Sequence, residues 1–467
     1  MLRLVRRPSA GALLLRPILE GGATHPSGFA GRPGQVLELG PRERWIGADG
    51  AASAPEWERV GADAISAAGE HARVALDARG LPDLVAIALG TGAALRAWRF
   101  TALQKRRPPG PRRIELLLDD PARAAGAWAR ARAALDGVFL ARELVAEPAN
   151  RLGPKAFAQR LQALEAEGIE VEVLKPGALR RLGAGGILAV GGGAAEGPRL
   201  VILRWKGSFA APPVAFVGKG ICFDTGGISI KPAQGMEAMR ADMAGAAACA
   251  GAMLALARRR SPCPAVAVLA IAENATGARS YRPGDVIRML SGRTVEVLDT
   301  DAEGRLVLAD ALHLAATRFR PQAMLDLATL TGSVIVALGH HRAGLFGNDA
   351  ALGALAAAAG EAMGERLWPL PIGERHRADL DSDIADLRQC APHGSGAWGG
   401  RLLPDACHAA AFLREFVGQI PWAHLDIAGV ETAESEELPA APNQPTGFGV
   451  RLLDALVERH FEDPHRV

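Results

Sequence analysis

Residues 214–232 read VAFVGKGICFDTGGISIKP. Val214–Val217 is a short apolar run that breaks into a glycine-rich turn carrying Lys219, Asp224 and Lys231. An apolar run without polar alternation reads as a strand covered on both faces, the habit of parallel sheets flanked by helices. Runs of the same kind recur outward at Leu200–Trp205, Ala265–Ala272 and Ala323–Leu327, with further strands expected at Glu170–Leu174 and Ile187–Val190. Helical patterns fill the intervals at 155–168, 236–258, 305–317 and 330–338. The expected fold class is α/β, with a mostly parallel central sheet in the larger C-terminal part. In such sheets, sites gather in loops beyond the carboxyl ends of the strands.

Upstream, residues 1–50 read as irregular, with frequent Gly and Pro. Helices are expected over 55–68, 82–105 and from Pro121 to about Ala146, and strands at Arg73–Leu76 and Ile114–Leu118. This makes a small α/β domain without an evident chemical motif. The run EPANRLGP at 147–154 breaks the pattern, so the expected domains are 1–147 and 148–467.

The 467 residues are 49% hydrophobic and 22% charged, a globular balance that excludes wholesale disorder. A net charge of +2, with 51 acidic side chains, gives no support to a nucleic-acid binder working by bulk basicity. Of 53 basic residues only six are lysine. Arginine serves as the generic cation, so a lysine in an unusual setting raises the question of what arginine cannot do there. One answer is to lose a proton. Five cysteines without a CxxC spacing read as reduced and the chain as cytoplasmic. The apolar run Ala12–Leu15 is cut by Arg16 and Pro17, too short for a signal peptide, and no membrane span is expected.

Three segments carry candidate chemistry. The first is the loop around Lys219, Asp224 and Lys231; it lacks the GxxxxGK[ST] pattern and contains an acidic residue, against a phosphate cradle. The second is Met239–Met243, where Asp242 alone has a plain explanation as an acidic residue near a helix N-terminus. The third is Asp299–Arg305. Asp299 or Thr300 would serve as a helix cap, but a cap needs one acceptor and this run supplies three carboxylates. Clustered, Asp224, Asp242, Asp301 and Glu303 would repel one another without cations. Two divalent metals would balance them, as in sites that activate water and polarise a carbonyl or phosphoryl group. HExxH and CxxC are both absent, and the adjacent pair His340-His341 reads as packing or capping.

In this order the segments resemble the leucyl (cytosol) aminopeptidase family of two-metal exopeptidases. GKGICFDTGGISIKP (218–232), MRADMAGAA (239–247) and TDAEGRLVLADAL (300–312) carry the resemblance, joined by DLATLTG (326–332) and WAHLDIAG (422–429). It runs over residues 140–455 and implies a macro-like N-terminal domain by position. It also implies two divalent ions per chain, zinc or manganese. Lys219, Asp224, Asp242 and Glu303 would hold the tighter ion, with Lys219 a neutral amine. Asp224, Asp301 and Glu303 would hold the more exchangeable one. Lys231 would stabilise the oxyanion, and Arg305 would hold a bicarbonate acting as base on a metal-bridging water. Met239, Thr329 and Gly332 would line the pocket for the first side chain, with Leu330 near the peptide backbone. The implied activity is removal of N-terminal residues from peptides, by a homohexamer without membrane attachment. The alternative is a DNA-binding accessory protein of the same fold. One departure stands out: Asp299 occupies the place where the family usually has Asn.

Overall fold

The computed structural model describes residues 2–19, 28–105, 110–392, 405–434 and 439–463. The chain forms two compact units. The first holds Met1–Leu135 with Ala362–Gly364 and Thr432–Thr446; the second holds Asp136–Glu361, Glu365–Glu431 and Gly447–Val467. The division at Leu135/Asp136 falls inside the helix Ala125–Ala146, ahead of the break read at 147–154. That break marks the end of a helix, and a unit that changes within a helix leaves no turn signal.

The first unit is built on β1 (Leu2–Val5), β2 (Leu13–Ile18), β3 (Val36–Gly40), β4 (Glu43–Gly47), β5 (Arg73–Asp77) and β6 (Arg113–Leu117), in the order β1-β6-β5-β2-β4-β3. Neighbours are parallel except β3 and β4. The expectation that residues 1–50 are irregular is corrected: β1 to β4 all lie there. They are short, and β1 and β2 pair with distant partners, as Leu2 does with Ile114, while β3 and β4 are five-residue strands paired with each other, so local periodicity did not announce them. The second helix of the unit, Asp83–Ala97, stops short of the expected 105.

The second unit carries β7 (Glu170–Leu174), β8 (Arg199–Trp205), β9 (Val214–Asp224), β10 (Ala265–Asn274), β11 (Val286–Arg288), β12 (Thr294–Glu296), β13 (Ala323–Ala328), β14 (Ala343–Gly347), β15 (Leu367–Pro369), β16 (Leu387–Arg388) and β17 (Trp422–Asp426). Eight form one sheet in the order β15-β14-β17-β13-β9-β10-β8-β7. Its centre, β17-β13-β9-β10, is parallel, as the continuous apolar runs implied. Antiparallel pairings join β8 to β10 and β7, and β14 to β17.

Two expectations fail here for stated reasons. Ile187–Val190 is not a strand but the end of a helix, Gly185–Val190. Four apolar residues fit either state, and the helix is fixed from afar by Asp310, which accepts from the Ile187 N–H at 3.1 Å. The helix expected over 236–258 is broken. A 3-10 turn, Met236–Ala241, is followed by the helix Ala244–Arg258. Asp242 sits in the break, so its side chain leaves the helix rather than merely facing its dipole.

Small residues let this helix lie close on the sheet. A Cβ on Gly218 of β9 would stand 2.5 Å from the Ala246 Cα, and one on Gly245 would stand 2.0 Å from the Leu327 carbonyl oxygen. Such contacts admit only glycine, and they bring the break at Asp242 down to the strand ends.

Candidate metal centre

The centre lies at the carboxyl ends of the central strands. β9 runs on past the expected Val217 to Asp224, which pairs with Asn274 beyond an irregularity in β10. Lys219 is therefore a buried strand residue, and Asp224 is the strand's last residue. Past it, Gly226 and Gly227 take φ of 85° and 66°. A Cβ on Gly226 would lie 2.4 Å from the Ser229 carbonyl oxygen, so the left-handed turn demands glycine twice over. The turn is clamped by Thr300, whose hydroxyl donates to the Gly226 carbonyl at 2.6 Å and accepts from the Ser229 N–H at 2.8 Å. It brings Lys231 back over the strand end.

Lys219 Nζ donates to Asp242 Oδ1 at 2.7 Å and to the Thr329 carbonyl at 2.9 Å. It also stands 2.9 Å from Glu303 Oε1 as an ion pair. Thr329 Oγ1 donates to the same Asp242 oxygen at 2.7 Å. Asp224 Oδ1 accepts from Gly226 N–H at 2.9 Å and from Asn274 Nδ2 at 2.7 Å. Its other oxygen lies 2.8 Å from Lys231 Nζ, which also pairs with Asp301 Oδ1. One carboxylate oxygen from each of Asp224, Asp242 and Glu303 lies within 4.8 Å of the other two.

Burial raises the pKa of Glu303, and the neighbouring Asp224 charge raises it further, against Lys219 and Lys231. Asp242 and Asp301 are raised for the same two reasons, burial first. Burial alone would drive Lys219 toward a neutral amine, but Asp242, Glu303 and Asp224 outweigh it and hold the ammonium above its ordinary range. Lys231 behaves likewise, through Asp224, Glu303 and Asp301.

Asp242 Oδ2 and Glu303 Oε2 are buried without a hydrogen-bond donor, and Glu303 Oε1 and Asp301 Oδ1 have only their ion pairs with Lys219 and Lys231. Asn274 Oδ1 is a further buried acceptor without a donor. Buried acceptors without donors are rare in folded proteins and each costs roughly 1–3 kcal/mol, more when charged. Here they converge, four carboxylates face two lysines, and the donor atoms on offer are hard oxygens and lysine amines. That donor set fits divalent metal ions.

The remaining expected residues fall around this core. Met239 lies in the 3-10 turn, and its carbonyl accepts from the Asp242 N–H at 3.2 Å. A Cβ on Gly304 would come within 2.6 Å of Lys219 Cε and 2.9 Å of Leu330 Cδ1, so Leu330 packs against the centre. Gly332 opens the helix Gly332–Leu338 and a Cβ there would meet nothing within 4 Å. Arg305 is two residues beyond Glu303 but turns elsewhere: Nη1 donates to the Gln389 carbonyl at 3.1 Å and Nη2 to Asp405 Oδ1 at 2.8 Å. His340 Nδ1 contacts the Gly429 carbonyl at 2.8 Å, outside this set. The helix after the acidic run begins at Glu303, and neither Asp299 nor Thr300 caps it. Asp299 Oδ1 instead accepts from the Asp301 N–H at 2.9 Å.

Sequence reading missed several supports. Asn274 steadies both Asp224 and the Thr300 carbonyl; its signal was available, as the polar end of an apolar strand beside β9. Tyr281 donates to the same carbonyl at 2.8 Å. Gln389 holds Leu298, Asp299 and Ala302 through both ends of its amide. Asp426, at the end of β17, accepts from the Leu330 N–H and the Thr331 hydroxyl and so fixes the loop that presents Thr329.

The chain is similar to known proteins of one family. A family model described as "Cytosol aminopeptidase family, catalytic domain" matches residues 139–454. A "Probable cytosol aminopeptidase" of Brucella anthropi is 46% identical over 385 residues, 81% of this chain and 75% of that protein. Another of the same description, from Caulobacter vibrioides, is 45% identical over 377 residues, 79% of this chain and 75% of its own. Among solved structures, the bottromycin maturation enzyme BotP in complex with Mn is similar with a TM-score of 0.85 at 35% identity. That match covers 96% of this chain and 99% of the other.

Proposed function

The chain belongs to the cytosol aminopeptidase family and is a metal-dependent aminopeptidase acting on peptides, and on that premise we propose how its own residues divide the work. Lys219, Asp224, Asp242 and Glu303 hold one divalent ion, and Asp224, Asp301 and Glu303 a second. When bound, such ions lower the pKa of a water and polarise the scissile carbonyl. Lys219 would hold the ion as a neutral amine, and to do so it would have to give up the proton that its carboxylate neighbours retain. Lys231, partly exposed at the rim, donates to the oxyanion that develops as the first peptide bond is attacked. Met239, Thr329 and Gly332 line the pocket for the first side chain, and Leu330 lies along the substrate backbone. Arg305 is an anion-binding cation; a free bicarbonate there has to compete with Asp405.

The finer assignments are also proposals. Zinc and manganese both suit the donor set. The homohexamer rests on the family resemblance. A cytoplasmic location is supported by the relatives' descriptions and by five free cysteines. No helix among the described residues is long and apolar enough to cross a membrane. A macro-like fold for residues 1–147 rests on position. The DNA-binding alternative gains nothing from the comparisons.

The observation that carries the metal assignment is the convergence of the buried carboxylates Asp224, Asp242 and Glu303, with Asp242 Oδ2 and Glu303 Oε2 accepting no hydrogen bond. Metal analysis combined with turnover of a panel of aminoacyl amides tests it. About two divalent ions per chain are expected, with turnover lost on chelation and regained on metal addition. Full activity in a metal-free protein would overturn it.

A further inference from the structure

Arg305 is a buried cation, its side chain 2% exposed, while its partner Asp405 is 42% exposed. Nη1 is spent on a neutral carbonyl, Nη2 on the Asp405 carboxylate, and Nε has no hydrogen-bond partner. A guanidinium this deep needs a counter-charge, because an uncompensated buried ion is far costlier than a paired one. Asp405 is the carboxylate that supplies it, and it does so from the first residue of the helix Asp405–Arg414, where the N-terminal dipole also favours negative charge. The pair bridges inside and outside: the cation is sealed and the anion is open to solvent. Removing the carboxylate alone would leave a solvent-reachable space in front of a guanidinium fork, which matches a planar oxyanion.

We propose that Asp405 is the resident anion of Arg305: its tethered carboxylate fills a small-oxyanion site at this buried guanidinium, so the enzyme works without a free oxyanion. Deleting it converts the site into a receptor for planar oxyanions of the bicarbonate and formate class. Only the turnover part of the test rests on the aminopeptidase reading.

The test compares the metal-loaded wild type with Asp405→Ala and with the double variant Asp405→Ala/Arg305→Met. Each is titrated with sodium bicarbonate and sodium formate against sodium chloride at equal ionic strength. Melting temperature and line broadening of 13C-bicarbonate report anion binding; hydrolysis of an aminoacyl amide reports function. Wild type is expected to give no anion-specific response in either readout. Asp405→Ala should keep its metals and lose about 10²-fold in turnover. It should then bind bicarbonate saturably, with turnover recovering at the same half-saturation, and the double variant should do neither. Should Asp405→Ala fail to fold, Asp405→Asn keeps the volume without the charge and is expected to lose turnover by a similar factor. Wild type that binds bicarbonate as well as Asp405→Ala does, or an Asp405→Ala protein that binds none, overturns the proposal. An Asp405→Asn protein with undiminished turnover also overturns it. A wild type that hydrolyses no aminoacyl amide would instead sink the aminopeptidase reading, and the binding measurements would still decide the anion site.

Discussion

Lys219 and Glu303 are the residues on which the centre turns. A lysine at the middle of a buried strand is costly unless carboxylates face it, and Asp242 and Glu303 do. Lys219→Arg is therefore expected to be severe. Arginine keeps its proton and its fork does not fit a strand-bound amine's place, so metal content at neutral pH should fall sharply; an unchanged affinity would refute the ligand role. Glu303→Ala should remove metal and activity together, measured by metal analysis on the folded protein. Lys231→Ala should keep both ions and lose about 10²–10³ in turnover, since it removes an oxyanion donor rather than a ligand. The Asp299 departure is mild by geometry. The hydrogen bond it accepts from the Asp301 N–H is one that an Asn carbonyl oxygen also accepts. Its charge adds to the forces raising the Asp301 pKa. Asp299→Asn should keep activity while lowering the pH at which the more exchangeable ion binds.

At the scale of elements, the helix Ala244–Arg258 sets the position of Asp242 through close contacts at Gly218 and Gly245. Gly245→Val should push that helix off β13, costing about 1–3 kcal/mol by overpacking. It should also weaken metal binding, although residue 245 is no ligand. A variant with the stability loss but unchanged metal affinity would separate helix position from the centre. Five strands of the second unit, β7 to β10 and β13, were legible, the central ones because parallel strands are apolar throughout; β11, β12 and β14 to β17 were not read. The helix Gly185–Val190 was not, because its four apolar residues are ambiguous and Asp310 decides the matter from another element. The strands β1 and β2 escaped for a related reason: they have partners far along the chain, whereas β3 and β4 are simply short.

For the whole molecule, the buried acids make stability depend on pH and metal together. Asp310, with its pKa pushed up to about 7 by burial, and Glu303, Asp242 and Asp301, also raised, bind protons more tightly folded than unfolded. The metal-free protein should therefore lose stability as pH rises from about 4 toward neutrality and above. Lys219, held above its ordinary range, stays charged throughout that window and does not change the sign. Metal ions compete with those protons, so the gain in melting temperature on adding Mn2+ should grow with pH. At about 100 times the dissociation constant it corresponds to roughly 2.7 kcal/mol. A metal-induced gain that shrinks as pH rises would contradict the carboxylate assignment.

By itself the sequence determined the α/β class and the parallel centre of the sheet, and it singled out Lys219, Asp224, Lys231, Asp242, Asp301 and Glu303 as candidates. These are properties of local runs: apolar continuity, scarce lysines, and carboxylates spaced too densely for capping. Only the tertiary structure decided the side-chain pairings, because they join segments from separate strands and helices. It set Lys219 against Asp242 and Glu303, and it gave Arg305 to Asp405 rather than to the metal cluster. It also recruited Asn274, Gln389 and Asp426 as supports. A hydrogen bond between residues about a hundred positions apart has no local signature; it exists only once the sheet has brought its strand ends together.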